Sequence, residues 1–179
     1  MKLLRTIQLD PSDTFVFKRA AEPGEWAVSG AFVFAGADAA ALQGKSRAAF
    51  RSGFLGIDSL GWSTLVQVVD ASVEDRAAAV ELLTRRLVEH FGAPDTEAAR
   101  AAAEEEVAFA AALCKDAKGT VIAVSRSAED GAIRETFRTL QPRGGPRPQH
   151  AYAFLEVEGE DEAPAEEIDL KTLVRGERR

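Results

Sequence analysis

The feature that most restricts the fold of this chain is a block of two amphipathic helices within residues 72–114. Apolar residues recur there at helical spacing, which predicts that one side of each helix is buried. Ser72 followed by Asp75 predicts a capping box at the start of the first helix. Gly92 tolerates a left-handed backbone and Pro94 lacks an N–H, so the first helix should stop between them. The stripes predicted to be buried are Val73, Ala77, Val80, Leu83 or Thr84, Leu87 and Phe91 in the first helix, and Ala99, Ala103, Val107, Ala110 and Cys114 in the second.

Period-two alternation and clusters of turn residues predict strands on both sides of this block. In the strand predicted at 14–20, Phe15 and Phe17 should share a face. The strand at 62–70 is almost continuously apolar, which predicts a central position covered on both faces. The predicted elements are strands at 3–9, 14–20 and 26–34, a helix in two pieces around Gly44 over 38–53, a glycine-rich loop over 53–61, a strand at 62–70, a hairpin of 120–127 with 132–141, and a last strand at 150–157.

The predicted element order is βββ-α-β-αα-ββ-β. Most consecutive strands are joined by short turns, which favours antiparallel pairing over the crossovers of a parallel nucleotide-binding sheet. We therefore expect an α+β fold with a mostly antiparallel sheet and the two amphipathic helices packed on one face.

The length of 179 residues suits one domain with a tail. We assign residues 1–157 to a single domain. Residues 158–167 carry six acids and no base, a composition typical of disorder, so we expect an acidic, disordered tail over 158–179. Within it, the short apolar patch 168–174 is a candidate for docking on the domain or on a protein partner.

The charge distribution restricts the partners of the chain. The net charge is −7, of which about −3 falls on residues 1–157. A balanced domain with an acidic tail argues against binding nucleic acid or an anionic membrane surface, because both require a concentrated positive face. The sequence also lacks an apolar run of the ~20 residues that a membrane helix needs. We expect a cytoplasmic protein.

Few residues offer metal or thiol chemistry. The single cysteine, Cys114, excludes an internal disulfide and lies on the apolar stripe, so we expect a buried, inert thiol. His90 and His150, the only histidines, lack ligand spacing and are expected to be structural. The acidic run 104–106 is interpreted as a solvated helix face. We predict no metal site and no cofactor.

Two segments resemble catalytic motifs only superficially. Residues 39–46 are one glycine short of a phosphate-binding loop, because Ala39 stands where the backbone must wrap the phosphates. Residues 56–61 contain Ser59 between glycines, as in a nucleophile elbow, but they run from loop to strand instead of from strand to helix. We interpret both as ordinary structural segments.

The proline- and glycine-rich loop 141–150 contains the candidate ligand-binding residues of the chain. Arg143 and Arg147 flank its glycines, and His150 follows them. Two guanidinium groups beside an imidazole are suited to a carboxylate or phosphate. The alternative is a long strand connection that its charges keep soluble.

Three stretches carry a resemblance to a known family. They are Ala21-Glu22-Pro23-Gly24-Glu25-Trp26-Ala27-Val28-Ser29-Gly30, then Gly53-Phe54-Leu55-Gly56, then Phe91-Gly92-Ala93-Pro94. Over most of residues 1–142 the chain resembles a family of small uncharacterised bacterial proteins, a domain of unknown function. The resemblance implies a free-standing bacterial domain and brings with it no activity and no ligand.

The sequence favours a non-catalytic cytoplasmic binding or accessory protein that forms a homodimer. Catalytic residue types are scattered, and surplus aromatic side chains suggest an interface. The aromatic residues in question are Trp26, Phe32, Phe34, Phe54 and Trp62. The alternative is an enzyme acting on a small anion through the 141–150 loop, with Asp58 as acid or base. A third possibility is that segment 168–174 is a docking peptide for the partner subunit of a larger enzyme.

Overall fold

One antiparallel sheet organises residues 1–142 and 155–157, which are the residues that the computed structural model describes. Its strands are β1 (Lys2–Ile7), β2 (Trp26–Val28), β3 (Phe54–Gly56), β4 (Trp62–Ser63), β5 (Leu65–Asp70), β6 (Val121–Glu129), β7 (Ala132–Pro142) and β8 (Leu155–Val157). They lie in the order β4-β3-β2-β1-β5-β6-β7-β8, and every neighbouring pair is antiparallel. The predicted α+β fold is confirmed. The predicted tail 158–179 lies outside the described residues.

Four α-helices accompany the sheet in the described residues: α1 (Ser12–Val16), α2 (Gly44–Ser52), α3 (Val73–His90) and α4 (Thr96–Leu113). The predicted helical block 72–114 is confirmed as α3 and α4. The capping box forms as expected, because the Asp75 N–H donates to the Ser72 hydroxyl at 3.0 Å and the Ser72 N–H donates to the Asp75 carboxylate at 2.9 Å. None of the described helices combines the length and apolar character needed to cross a membrane.

Helix α4 packs on β1 and β2 and forms the main core together with α3. All five predicted stripe residues of α4, from Ala99 to Cys114, are buried. In α3, Val80, Leu83 and Leu87 are buried as predicted, but Val73 and Ala77 are exposed, so the stripe prediction is wrong for the first turns. The α3 capping box is itself exposed, which leaves those turns facing solvent.

The aromatic residues that suggested an interface are buried or partly buried against the apolar clusters of the protein. Phe54 is fully buried in the main core, and Trp26 and Phe32 pack against it. A second, smaller cluster contains Phe17, Phe34, Ala49 and Phe50, with Trp62 packed against both clusters. The sequence-based argument from surplus aromatic residues is therefore wrong for Phe34 and Phe54, whereas Trp26, Phe32 and Trp62 are partly buried.

The predicted strand at 14–20 is wrong, because a short helix, α1, occupies Ser12–Val16. Asp13 is buried and accepts hydrogen bonds from the N–H and hydroxyl of Thr64, at 3.1 Å and 2.5 Å, which fixes the helix against the distant β4–β5 junction. Phe15 and Phe17 do not share a face, since Phe17 is buried and Phe15 points to solvent.

Two other predicted strands are shorter than expected. Segment 26–34 is a strand only to Val28, because Gly30 adopts a left-handed backbone with φ of +79° and a 3-10 turn, Ala31–Phe34, follows. Segment 62–70 divides into β4 and β5 where Thr64 donates its N–H to Asp13. β5 is central, between β1 and β6, but only alternate residues are fully buried, so coverage of both faces is not confirmed.

The loop prediction for 53–61 missed a strand, since β3 occupies Phe54–Gly56. The predicted 120–141 hairpin is confirmed as β6 and β7. It turns through Asp130 and Gly131, whose φ angles are +50° and +79°. Two consecutive positive φ angles match the twist of the flanking strands, and Gly131 reaches this conformation without strain.

Gly30 and Gly36 show two different reasons why a position requires glycine, which are backbone conformation and close packing. Both have positive φ, +79° and +76°, but a Cβ on Gly30 would lie 2.7 Å from the Cβ of Leu55 and 3.0 Å from the Trp62 ring, whereas Gly36 has open space. We expect Gly36→Ala to lower the free energy of unfolding by about 1 kcal/mol through backbone strain alone. Gly30→Ala should cost a further ~1–3 kcal/mol from overpacking. Urea denaturation of both variants measures the difference, and equal losses would contradict the packing argument.

Candidate functional site

A charged side chain lies inside the described part of the protein. Arg126 of β6 is two and four residues after Val124 and Ile122, so all three side chains point to the same face of the strand. All three residues are buried, and none of the Arg126 side-chain surface is exposed. A guanidinium therefore occupies a position where the strand pattern places a core residue, and such a charge is stable only when it is paired and hydrogen-bonded.

The five N–H groups of the Arg126 guanidinium all have acceptors within the protein. Nε donates to Glu135 Oε1 at 2.7 Å. Nη1 donates to the carbonyl oxygens of Phe50 at 3.1 Å and Gly53 at 2.7 Å, at the C-terminus of α2, where the helix dipole favours a cation. Nη2 donates to the carbonyl oxygen of Ser29 and to its hydroxyl. No donor is left over for a ligand.

Two carboxylates lie near this guanidinium. Glu135 is directly opposite Arg126 in the β6–β7 register, and its Oε1 also accepts the Ser29 hydroxyl at 2.5 Å. Glu106 approaches from α4, and its Oε2 is buried without a hydrogen-bond partner among the described residues. Burial raises the pKa of Glu106 to about 7, the charge of Glu135 acts in the same direction, and Arg126 opposes them. We name Arg126, Glu135, Glu106 and Ser29 the buried charge cluster.

Sequence reasoning missed this cluster and misassigned one member. The interpretation of residues 104–106 as a solvated face is correct for Glu104 and Glu105, which are exposed, but wrong for Glu106. Glu106 lies three residues after Ala103 and four before Ala110, both on the buried stripe, and that spacing was the available signal. For Arg126 the signal was its phase with Val124 and Ile122.

Of the candidate residues named from the sequence, Asp58 and His90 lie within the described part of the protein. Arg143, Arg147 and His150 lie outside the described residues, so their convergence on an anion stays a prediction. The Asp58 side chain is exposed and pairs with Arg86 at 3.3 Å. His90 is half-exposed at the end of α3.

The glycine-flanked loop 56–61 is organised by a carboxylate from another segment. The N–H groups of Asp58 and Ser59 both donate to Glu25 Oε2, at 3.0 Å and 2.9 Å, and the N–H of Glu22 donates to Glu25 Oε1 at 2.7 Å. The Ser59 hydroxyl accepts the N–H of Gly61 at 3.0 Å. These bonds agree with the structural interpretation of this segment.

Two concave surfaces of the described residues lie apart from the buried charge cluster. A groove of about 690 Å³ runs between residues 34–40 and the β6–β7 turn, lined mainly by alanine, glycine and backbone atoms. A trough of about 560 Å³ lies between residues 22–26 and α3, with Trp26 and Arg85 on its walls. Neither lining includes Arg126, Glu106 or Glu135.

An apolar patch is exposed around α1. Phe15 has 74% of its surface exposed and Leu9 has 66%, and Val16 is also exposed. Asp10 lies beside Leu9, and the exposed bases Lys18 and Arg19 follow Val16 in the chain. We call Leu9, Phe15 and Val16 the α1 patch. Exposed apolar side chains that lie close together in the chain are candidates for contact with another protein.

Comparison with known proteins gives a family but no activity. Residues 1–153 match the model of a family described as "Family of unknown function (DUF6505)". No curated protein matches the chain. No solved structure matches it either.

The reactivity of Cys114 follows from its burial. The thiol lies 3.3 Å from the carbonyl oxygen of Ala110, and desolvation raises its pKa to about 11. Because the thiolate is the reactive form, we expect an aromatic disulfide reagent to label Cys114 only as fast as the protein opens, and at once in denaturant. Rapid labelling of the native protein at neutral pH would contradict this.

Arg126 should be essential for stability. Arg126→Met leaves the carboxylate of Glu135 and three carbonyl oxygens without their donor, so we expect a loss of about 3–5 kcal/mol in the free energy of unfolding. The matched control is Arg134→Met on the same hairpin, which removes only an exposed ion pair with Glu129 and should cost less than ~1 kcal/mol. Urea denaturation measures both, and equal losses would exclude a special role for Arg126.

Proposed function

We propose that this chain, which belongs to the Family of unknown function (DUF6505), is a non-catalytic binding or accessory protein of the bacterial cytoplasm that works as a homodimer. The observation that carries the proposal is the α1 patch. Leu9, Phe15 and Val16 together present apolar surface that water solvates poorly and that a second protein surface would cover.

The fold holds the patch outward. Asp13 accepts hydrogen bonds from Thr64, which fixes the start of α1. Phe17, which follows α1, is buried in the second apolar cluster. Phe15 and Val16 lie between these two fixed points in the chain and their side chains are exposed. Their exposure is enforced by the surrounding contacts, which is the arrangement expected of a preformed contact surface.

The charges around the patch favour a second copy of the same chain as the partner. Asp10 precedes α1 in the chain and Lys18 and Arg19 follow it, with no ion-pair partner for either base among the described residues. Hydrogen bonds from Ser12 hold the pKa of Asp10 below its usual value, so this acid is ionised. A two-fold axis through the patch would bring Asp10 of each copy to the bases of the other.

The size of the patch indicates how tight the dimer should be. A standard stable interface buries ~800 Å² on each partner, and three side chains supply less than that. We therefore expect a weak dimer that dissociates in roughly the micromolar range or above, and that depends on both apolar contact and the flanking charges.

Sedimentation velocity over a range of concentrations tests the proposal. We expect the wild-type chain to shift from monomer to dimer as its concentration rises, and Phe15→Ser to remain monomeric. The control is Val73→Ser, which removes a similarly exposed apolar side chain on α3 and should dimerise like the wild type. A wild-type chain that stays monomeric at every concentration would contradict the homodimer.

A charge exchange tests the two-fold arrangement. Lys18→Asp combined with Arg19→Asp should weaken dimerisation, because two acids would then face Asp10 of the other copy. Adding Asp10→Lys to this double variant should restore dimerisation. Failure of the triple variant to recover would argue against the isologous geometry, even if Phe15→Ser abolishes association.

A further inference from the structure

We infer that Glu106 holds a proton when α4 is closed on the sheet, and that loss of this proton loosens α4. The inference concerns the interior and is independent of the α1 patch. It rests on the hydrogen-bond inventory of the buried charge cluster. That cluster joins three elements, since Glu106 comes from α4, Arg126 from β6 and Glu135 from β7.

The guanidinium of Arg126 has no N–H group left to donate to Glu106. All five of its N–H groups are used by Glu135, Ser29, Phe50 and Gly53. Glu106 is partly buried, and its Oε2 is shielded from solvent and unpartnered among the described residues. Withdrawing a carboxylate oxygen from water without a donor costs more than withdrawing a neutral carboxyl group. The carboxyl group therefore avoids this cost by keeping its proton.

Burial and the surrounding charges together raise the pKa of Glu106. Burial raises its pKa to about 7 as the largest effect, Glu135 raises it further as a like charge, and Glu105 of the same helix adds a smaller increment. Arg126 is the opposing charge. Since the donors of the guanidinium are used elsewhere and a second carboxylate lies nearby, Glu106 keeps its proton near neutral pH.

The sign of the pH dependence follows from linkage. Between the ordinary value of 4.5 and about 7, the folded chain binds a proton at Glu106 that the unfolded chain has released. Stability linked to this group is complete below the unfolded value and is lost as the pH rises through about 7. The contribution of Glu106 to stability is therefore greatest below pH 4.5 and falls as the pH rises toward 7.

Loosening should begin on the side of α4 that faces the β6–β7 hairpin. Phe109, one turn after Glu106, contacts Phe137 of β7 edge to face with ring centroids 5.8 Å apart. Phe137 in turn lies 6.1 Å from Phe54 in the main core. Movement of α4 at Glu106 would open this aromatic contact, so the proton is coupled to the access of solvent to the core.

Carbon-detected NMR titration of the wild-type chain tests the proton directly. With the glutamate side chains labelled and Glu106→Gln used for assignment, we expect the Glu106 carboxyl resonance to titrate with a midpoint near 7. A midpoint near the ordinary value of 4.5 would overturn the inference. The midpoint is read from the folded wild-type protein, and the variant serves only to identify the resonance.

Urea denaturation across pH 5–8.5 tests the coupling to stability. The equilibrium constant for unfolding of the wild-type protein should rise by up to about two orders of magnitude between pH 5 and pH 8.5. The partial exposure of Glu106 makes the expected rise smaller than this upper value. Glu106→Gln, which resembles the protonated form, should remove this rise. Glu104→Gln makes the same charge change on the exposed face and should behave like the wild type. A Glu106→Gln variant that keeps the full wild-type pH dependence would overturn the inference.

Discussion

The saturated guanidinium of Arg126 is the interaction on which the arrangement of this protein depends. Removing such a cation from water costs several kcal/mol, and the cost is offset only when every donor has a well-placed acceptor. Its acceptors come from the C-terminus of α2, the residue after β2, and β7. These segments must be in place together, so the central sheet and α2 are expected to form and melt as one cooperative unit.

The same saturation separates the interior chemistry of the protein from its surface. Because Arg126 has no free donor, the cluster is closed to anionic ligands, and the only variable element within it is the proton on Glu106. The surface offers a different property, which is apolar contact at Phe15 and its neighbours. A binding role at the surface and a proton-linked helix in the interior are therefore compatible, and neither requires the other.

Local patterns predicted the parts of the fold that local physics determines. Helices α3 and α4 followed from periodicity and capping, and the β6–β7 hairpin followed from alternation and its turn. The N-terminal segment did not, because α1 is fixed by the contact of Asp13 with Thr64, which lies 51 residues away. No periodicity encodes that contact, and the alternating residues around Phe15 favoured a strand.

The buried charge cluster was only partly accessible to sequence reasoning. The positions of Arg126 and Glu106 on buried faces could be inferred from spacing, whereas their environment could not. The acceptors of Arg126 lie 73 and 76 residues away at Gly53 and Phe50, and they are carbonyl oxygens, which every residue possesses. Residue type therefore carries no signal for them. The anion site proposed at Arg143, Arg147 and His150 stays a prediction.

The bonds made by Glu25 have a consequence for how the molecule meets its surroundings. Clustered backbone N–H groups, such as those of Asp58 and Ser59, form the kind of concavity that captures phosphate or carboxylate from solution. Here the carboxylate of Glu25 occupies this concavity, and both of its oxygens accept hydrogen bonds. The carboxylate lies so close to Gly56 that a Cβ added there would be 2.6 Å from Oε2. Because Glu25 already fills this concavity, the N–H groups of Asp58 and Ser59 are not available to an anion from solution.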